Sequence, residues 1–164
     1  MSIHSGSDKF TLYPIIGTLI AKHDKGIHLK TAGTTWLEEV IGLATAGGEA
    51  LGFVKELYVK ALEKREELCA PYADVIGIDP YRLPSGEEVS GWNSSKFAGS
   101  LRHIQESPDY NSDMRQLIHV GYKLAADRMD EYFRLLDAHK DVVADCVFDN
   151  IYHRHICRLF NLNS

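Results

Sequence analysis

The order of elements along this chain predicts an α/β fold that is predominantly helical, with two short parallel strands near its start. Three observations carry that prediction. Ser2-Ile3-His4 and the run 27–31 are short segments bounded by turn residues, as strands are. A helix-length segment separates them, so the strands must run parallel, joined by a crossover. From Trp36 onward, apolar residues recur at three- and four-residue spacing, the period of helices. A parallel pair normally belongs to a larger sheet buried on both faces, and two strands alone are marginal. The sequence is therefore expected to be the back end of an α/β protein whose front strands it does not contain.

Each element has a local reason. Ser2-Ile3-His4 reads as the last part of a strand. Gly6 and Asp8 then turn the chain into a helix over residues 9 to about 20, with Pro14 near its first turn, where a missing N–H does little harm. His23-Asp24-Lys25-Gly26 is a turn and residues 27–31 are the second strand. Thr34 or Thr35 is expected to cap the next helix, with Glu38 and Glu39 in its first turn and Trp36, Leu37, Val40, Ile41 and Ala44 on its apolar face. Gly47-Gly48 breaks that pattern, and a long amphipathic helix follows, from Leu51 to Leu68 at helical spacing. Residues 79–86 form an irregular connection. Helices are expected over 91–105, from about 112 to 139 as one long element, and over 142–159. The sequence thus groups into one partial domain, with a strand-bearing part over 1–46 and a helical part over 47–164.

Bulk properties narrow the function. At 164 residues the chain has the size of one domain, and 45% apolar with 25% charged residues is a globular composition. Eighteen basic against 23 acidic residues give a net charge of −5, and the basic residues form no stripe, which argues against a nucleic-acid partner. The start has neither the basic nor the apolar region of a signal peptide, and no apolar run is long enough to span a bilayer. Cys69, Cys146 and Cys157 are odd in number and widely spaced; they read as buried or partly buried thiols in a reducing cytoplasm.

The usable chemistry is densest in two polar runs, His4-Ser5-Gly6-Ser7-Asp8-Lys9-Phe10 and His28-Leu29-Lys30-Thr31-Ala32-Gly33-Thr34-Thr35. His4 stands where a strand ends; a neutral imidazole there can bind a metal or close the strand end through hydrogen bonds. Ser5, Gly6 and Ser7 offer hydroxyls and N–H groups at a helix start, a natural anion cradle. Lys9 can neutralise a carboxylate, while Asp8 is expected to cap the helix. His28 and Lys30, two apart in a strand, share one face. Thr31, Gly33 and Thr34 make a second cradle for an anion. Further on, Arg115, His119 and Lys123 are four apart and read as a solvated stripe on the long helix. His153 and His155, two apart on a helix, point to opposite sides and read as surface residues.

These two runs, with Tyr13-Pro14 and Trp36-Leu37-Glu38 beside them, resemble the tagaturonate epimerase family. So do Glu67-Leu68-Cys69-Ala70-Pro71-Tyr72-Ala73, the stretch from Arg115 to Lys123, and Asn150-Ile151-Tyr152-His153-Arg154-His155. The resemblance runs in order over nearly the whole chain. It implies a cytoplasmic sugar-acid enzyme of hexuronate catabolism that interconverts tagaturonate and fructuronate with a divalent metal, on a TIM-barrel-like scaffold. Family members are well over twice this length, so the similarity is to their C-terminal part, and the earlier strands with their catalytic residues are not represented.

In such barrels chemistry gathers where strands end and βα loops begin. The resemblance then implies His4 and His28 as metal ligands, Lys30 and Lys9 as catalytic groups, and Ser5, Ser7, Lys9, Thr31 and Thr34 as contacts to a uronate substrate. An incomplete barrel should expose apolar surface, and the expected partner is a complementary N-terminal part or a second copy. A rival reading, from the helical second half, is a binding or assembly module without chemistry of its own.

Overall fold

The computed structural model describes residues 2–4 and 9–162, His4 by its backbone alone. The first strand, β1 (Ser2–His4), pairs in parallel with β2 (His28–Lys30), with Ser2 opposite His28 and His4 opposite Lys30. Between them α1 (Tyr13–His23) makes the crossover, starting later than residue 9 because residues 9–12 form a turn closed by the Leu12 N–H on the Lys9 carbonyl. Pro14 does sit in its first turn, and Asp24 ends it in the left-handed region at φ 47°. As expected, the sheet is short and parallel.

A second helix, α2 (Ala32–Ala46), follows β2 directly, and nine of its 15 residues are buried. It begins at Ala32, so Thr31 occupies the cap position, without a side-chain cap bond. The expected cap at Thr34 or Thr35 is thereby corrected, and Glu38 and Glu39 move to the second turn. Thr34 has no exposed surface at all.

Gly47 and Gly48 then turn the chain with φ of 78° and 51°, a conformation cheap only for glycine. Beyond them run α3 (Gly48–Glu63), α4 (Arg65–Cys69), α5 (Gly86–Ser90) and α6 (Ser94–Leu101). Ser85 starts α5 with a reciprocal capping box, its Oγ accepting from the Glu88 N–H while the Glu88 carboxylate accepts from the Ser85 N–H. Those bonds hold the Glu88 carboxyl below its ordinary range.

The expected long helix over 112–139 is three helices: α7 (Ser112–Val120), α8 (Tyr122–Ala126) and α9 (Met129–Ala138). The break has a backbone cause, since the Gly121 N–H is shared between the Leu117 and Ile118 carbonyls. The apolar face read from the sequence is nonetheless a core: Met114, Leu117, Ile118, Leu124 and Ala125 are all buried. The end of the chain is α10 (Lys140–Phe148), a nine-residue π-helix (Asp149–Cys157) and α11 (Arg158–Phe160).

The main core forms around α2, which packs on α10, α6, α3 and α7. Closest approach to α10 occurs at Gly42, where an added Cβ would stand 2.7 Å from the Val143 Cα. Trp36 donates from Nε1 to the Ile118 carbonyl at 2.9 Å, and its ring meets Tyr132 edge-on. The Tyr132 hydroxyl donates to Glu39 at 2.5 Å, and burial, with that bond, pushes its ionisation far upward. A smaller cluster of Ile3, Tyr13 and Leu159 joins the crossover unit to the C-terminus. There α1 meets α11 at Gly17, where any Cβ would run into the Leu159 carbonyl. Among the described residues no helix is long and apolar enough to cross a membrane.

Candidate functional site

A pocket of about 530 Å³ lies between the start of α2, the helix that follows β2, and α7. Ala32 and Gly33 form one rim, Trp36 and Leu37 the floor beside them, and α7 supplies Ser112, Arg115, Gln116 and His119. His103 and Tyr110, from the connection after α6, close a third side with their rings stacked 5.3 Å apart. Phe10, the last residue of the first polar run, packs on that same His103 at 5.7 Å. Phe10 and the start of α2 therefore both reach residues of this cavity.

Close packing fixes the site. A Cβ at Gly33 would collide with the His119 imidazole, so glycine lets that ring rest on the first turn of α2. Arg115 is 6% exposed and donates from Nη1 to the Leu101 carbonyl at 2.5 Å, which holds the guanidinium in place. The solvated stripe expected for Arg115, His119 and Lys123 is thus corrected. The first two line the pocket, whereas Lys123 is exposed beyond the break at Gly121. Spacing of four residues gives a shared face, not what that face meets. Tyr72 and Tyr122 lie across from each other on the wall, and their hydrogen bond raises the Tyr72 ionisation above its usual range.

The structure places the sequence-derived residues unevenly. Lys30 and His28 are both exposed on β2, with half-buried Leu29 between them, so they share a face as expected. His4 pairs with Lys30 at the carboxyl end of the strands, and His28 pairs with Ser2 at the other end. That separates His4 from His28 by about 7 Å along the strands. Lys9 and Thr31 are half-buried and neither lines the cavity. Thr34, closed inside α2, has no surface with which to meet a substrate. Ser5, Ser7, Gly6 and Asp8, and the His4 side chain, lie outside the described residues. Among the described residues, no group of three or more His, Cys, Asp or Glu side chains is arranged to hold a metal ion.

His155, read as a surface residue, is fully buried, with Nδ1 2.8 Å from the Asn150 carbonyl oxygen. The two residues are five apart, one turn of the π-helix, and that wider turn brings both inside. Asn150 in turn donates from Nδ2 to buried Glu38 at 2.7 Å, tying the π-helix to α2. His155 and His103 both flank Phe10, and the Arg154 and Arg158 guanidinium groups sit over its ring at 4.4 and 5.1 Å. This cluster locks the chain after the first polar run against the C-terminus.

A second cavity of about 370 Å³, lined by Glu38, Arg102, Asp145 and Cys146 among others, lies against the opposite part of α2. Burial pushes the Cys146 thiol up, so it stays protonated and is a poor nucleophile or metal ligand. The strand-end pocket holds the better set of groups.

Comparison with known proteins agrees with the residue-level resemblance. The chain matches the tagaturonate epimerase family over residues 1–159 and belongs to that family. It is similar to the tagaturonate/fructuronate epimerase of Thermotoga maritima, with 30% identity over 160 residues, which are 95% of this chain and 29% of that protein. The chain therefore spans under a third of the length of the curated relative it matches, in its C-terminal part. No solved structure matches the chain.

Proposed function

We propose that the chain is the C-terminal part of an epimerase that interconverts D-tagaturonate and D-fructuronate, and that its two strand ends form one side of the active site. The observation that carries this reading is the family match over residues 1–159, together with a cavity at the start of α2, the helix that follows β2. In (β/α)8 barrels the active site lies at that edge. We place β1, α1, β2 and α2 in such a barrel. Two strands are too few to stand alone, and Leu12, Ile15 and Leu19 leave an exposed apolar stripe along α1. The remainder of the enzyme is the partner that fits this stripe.

Epimerisation breaks and remakes one bond at a hydroxyl-bearing carbon, so it needs a base, an acid and stabilisation of developing charge. Lys30, exposed at the end of β2, and half-buried Lys9 are the proposed proton-transfer or carboxylate-binding groups. Ser5, Ser7 and Thr31 remain proposed substrate contacts from the adjoining loops. His4 and His28 are proposed donors to a divalent metal whose further ligands lie outside the described residues. The three cysteines are free thiols, which suits a cytoplasmic setting. The test is to incubate D-tagaturonate with the complete enzyme that carries this segment and follow the product by NMR. Formation of D-fructuronate, abolished by chelation and restored by a divalent cation, is expected. An unchanged substrate under all metal conditions would overturn the reading.

A further inference from the structure

We propose that Phe10 is a positioning residue, held in a cage built by the C-terminal π-helix and α11, and that this cage sets where the neighbouring Lys9 stands. The role given to Lys9 rests on the epimerase reading; the cage is read from geometry alone.

Phe10 is only half-buried, yet its ring is met from several sides by groups far along the chain. Tyr13 and His155 approach it edge-on, with ring centroids 6.1 and 5.1 Å away, and His103 lies tilted at 5.7 Å. The Arg154 and Arg158 guanidinium groups stand over the ring at 4.4 and 5.1 Å. The cage is itself cross-linked. Arg154 donates from Nη2 to the His103 carbonyl, and the Tyr13 and His155 rings stand 5.4 Å apart. Apolar burial alone has no direction. Edge-on rings and cations over a ring face add one, so these contacts set how the phenyl group is turned as well as where it lies.

Two anchors tie the cage to the surroundings of the pocket. His103 lines the pocket directly. On the other side, His155 Nδ1 lies 2.8 Å from the Asn150 carbonyl oxygen, and Asn150 donates from Nδ2 to Glu38 on α2, the helix whose first turn lines the same pocket. Lys9 immediately precedes Phe10, and its carbonyl accepts the Leu12 N–H at 3.0 Å. With its own carbonyl and the next side chain both held, the Lys9 backbone has little freedom, and the reach of the amine follows from it. Catalytic geometry tolerates little displacement, since a shift of about 1 Å can cost about 100-fold.

The test uses the complete enzyme that carries this segment, with two readouts: the rate at which acetic anhydride acylates each lysine, read by mass spectrometry, and steady-state kinetics with D-tagaturonate. In Phe10→Leu, Lys9 should acylate about fivefold faster or more while exposed Lys25 keeps its rate, the mark of a local opening. The value of kcat/KM should fall about tenfold or more. Phe10→Tyr, which restores the ring, should return both readouts to wild type. Arg158 is exposed, so Arg158→Met keeps the fold; it should move both readouts in the direction of Phe10→Leu by about two- to fivefold, the effect of one exposed cation–π contact. Phe148→Leu, on an exposed aromatic residue outside the cage, should change neither. Unchanged Lys9 acylation in Phe10→Leu would refute the cage whatever the activity. Faster acylation of every lysine would refute it too, because Phe10 would then hold the fold as a whole. Failure of Phe10→Tyr to restore the pattern would overturn the part given to the ring, and faster Lys9 acylation with unchanged kcat/KM would overturn the positioning role. A wild-type enzyme inert toward D-tagaturonate would refute the epimerase reading instead and leave acylation to decide the cage.

Discussion

His4→Ala, in the complete enzyme that carries this segment, is expected to lose bound divalent metal and turnover together, by at least about 100-fold, because even second-layer changes around metal ligands cost 10–100-fold. His4 ends β1 opposite Lys30, two residues before the start of α2, whose first turn lines the pocket. Lys30→Met should leave a different signature. Lys30 is exposed on β2, so losing its charge should not cost the fold. As a carboxylate partner its loss raises KM, whereas as a proton-transfer group its loss lowers kcat. The carboxylate role is the better fit for a compact positive charge beside an anionic substrate. Metal analysis of the first variant and steady-state kinetics of the second separate the two contributions. Full metal occupancy in His4→Ala would remove it from the ligand set, and wild-type kinetics in Lys30→Met would remove Lys30 from the site.

Leu117→Ala should destabilise the chain by about 2–5 kcal/mol, the usual cost of emptying a fully packed leucine site. Leu117 has no exposed surface and lies in the main core with Met114 and Ile118. Neighbouring Gly121 takes its turn directly from the Leu117 and Ile118 carbonyls. A loss of that size is a large part of the roughly 5–15 kcal/mol that holds an ordinary domain together. It should appear as a lower midpoint in urea or thermal unfolding. The same substitution at Leu124, which is 6% exposed, should fall at the lower end of the range. Near-zero losses at both positions would mean that this face does not form a core.

The strands, their parallel pairing, the glycine break at Gly47-Gly48 and the apolar face of α7 and α8 were legible because each depends on local periodicity or turn chemistry. Other features depended on neighbours far along the chain. Thr34 looks like a helix cap until α2 is placed among α6, α7 and α10, where the hydroxyl is buried. The 112–139 segment keeps helical spacing across Gly121, so sequence period alone hid the break. His153 and His155 do differ in burial, as two-residue spacing implies, but the spacing could not show that His155 is the one facing inward, from a π-helical backbone.

The pocket was least visible of all. Its walls join Gly33 and Trp36 to residues near Ile118, a separation of 82 positions for the Trp36–Ile118 bond. Four-residue spacing placed Arg115 and His119 on one face but could not show that α2 covers it. His103 and Tyr110 sit in an irregular connection with no periodic signal. Of the two polar runs, Ala32 and Gly33 line the cavity and Phe10 packs on its His103.

The central claim is that these residues are one part of a larger epimerase site. It is tested most directly by following D-tagaturonate conversion by the purified, monomeric 164-residue chain beside the complete enzyme at equal concentration. The account predicts D-fructuronate from the complete enzyme and essentially none from the lone chain, whose two-stranded sheet leaves the site open. Conversion by the lone chain at a rate comparable with the complete enzyme would contradict it.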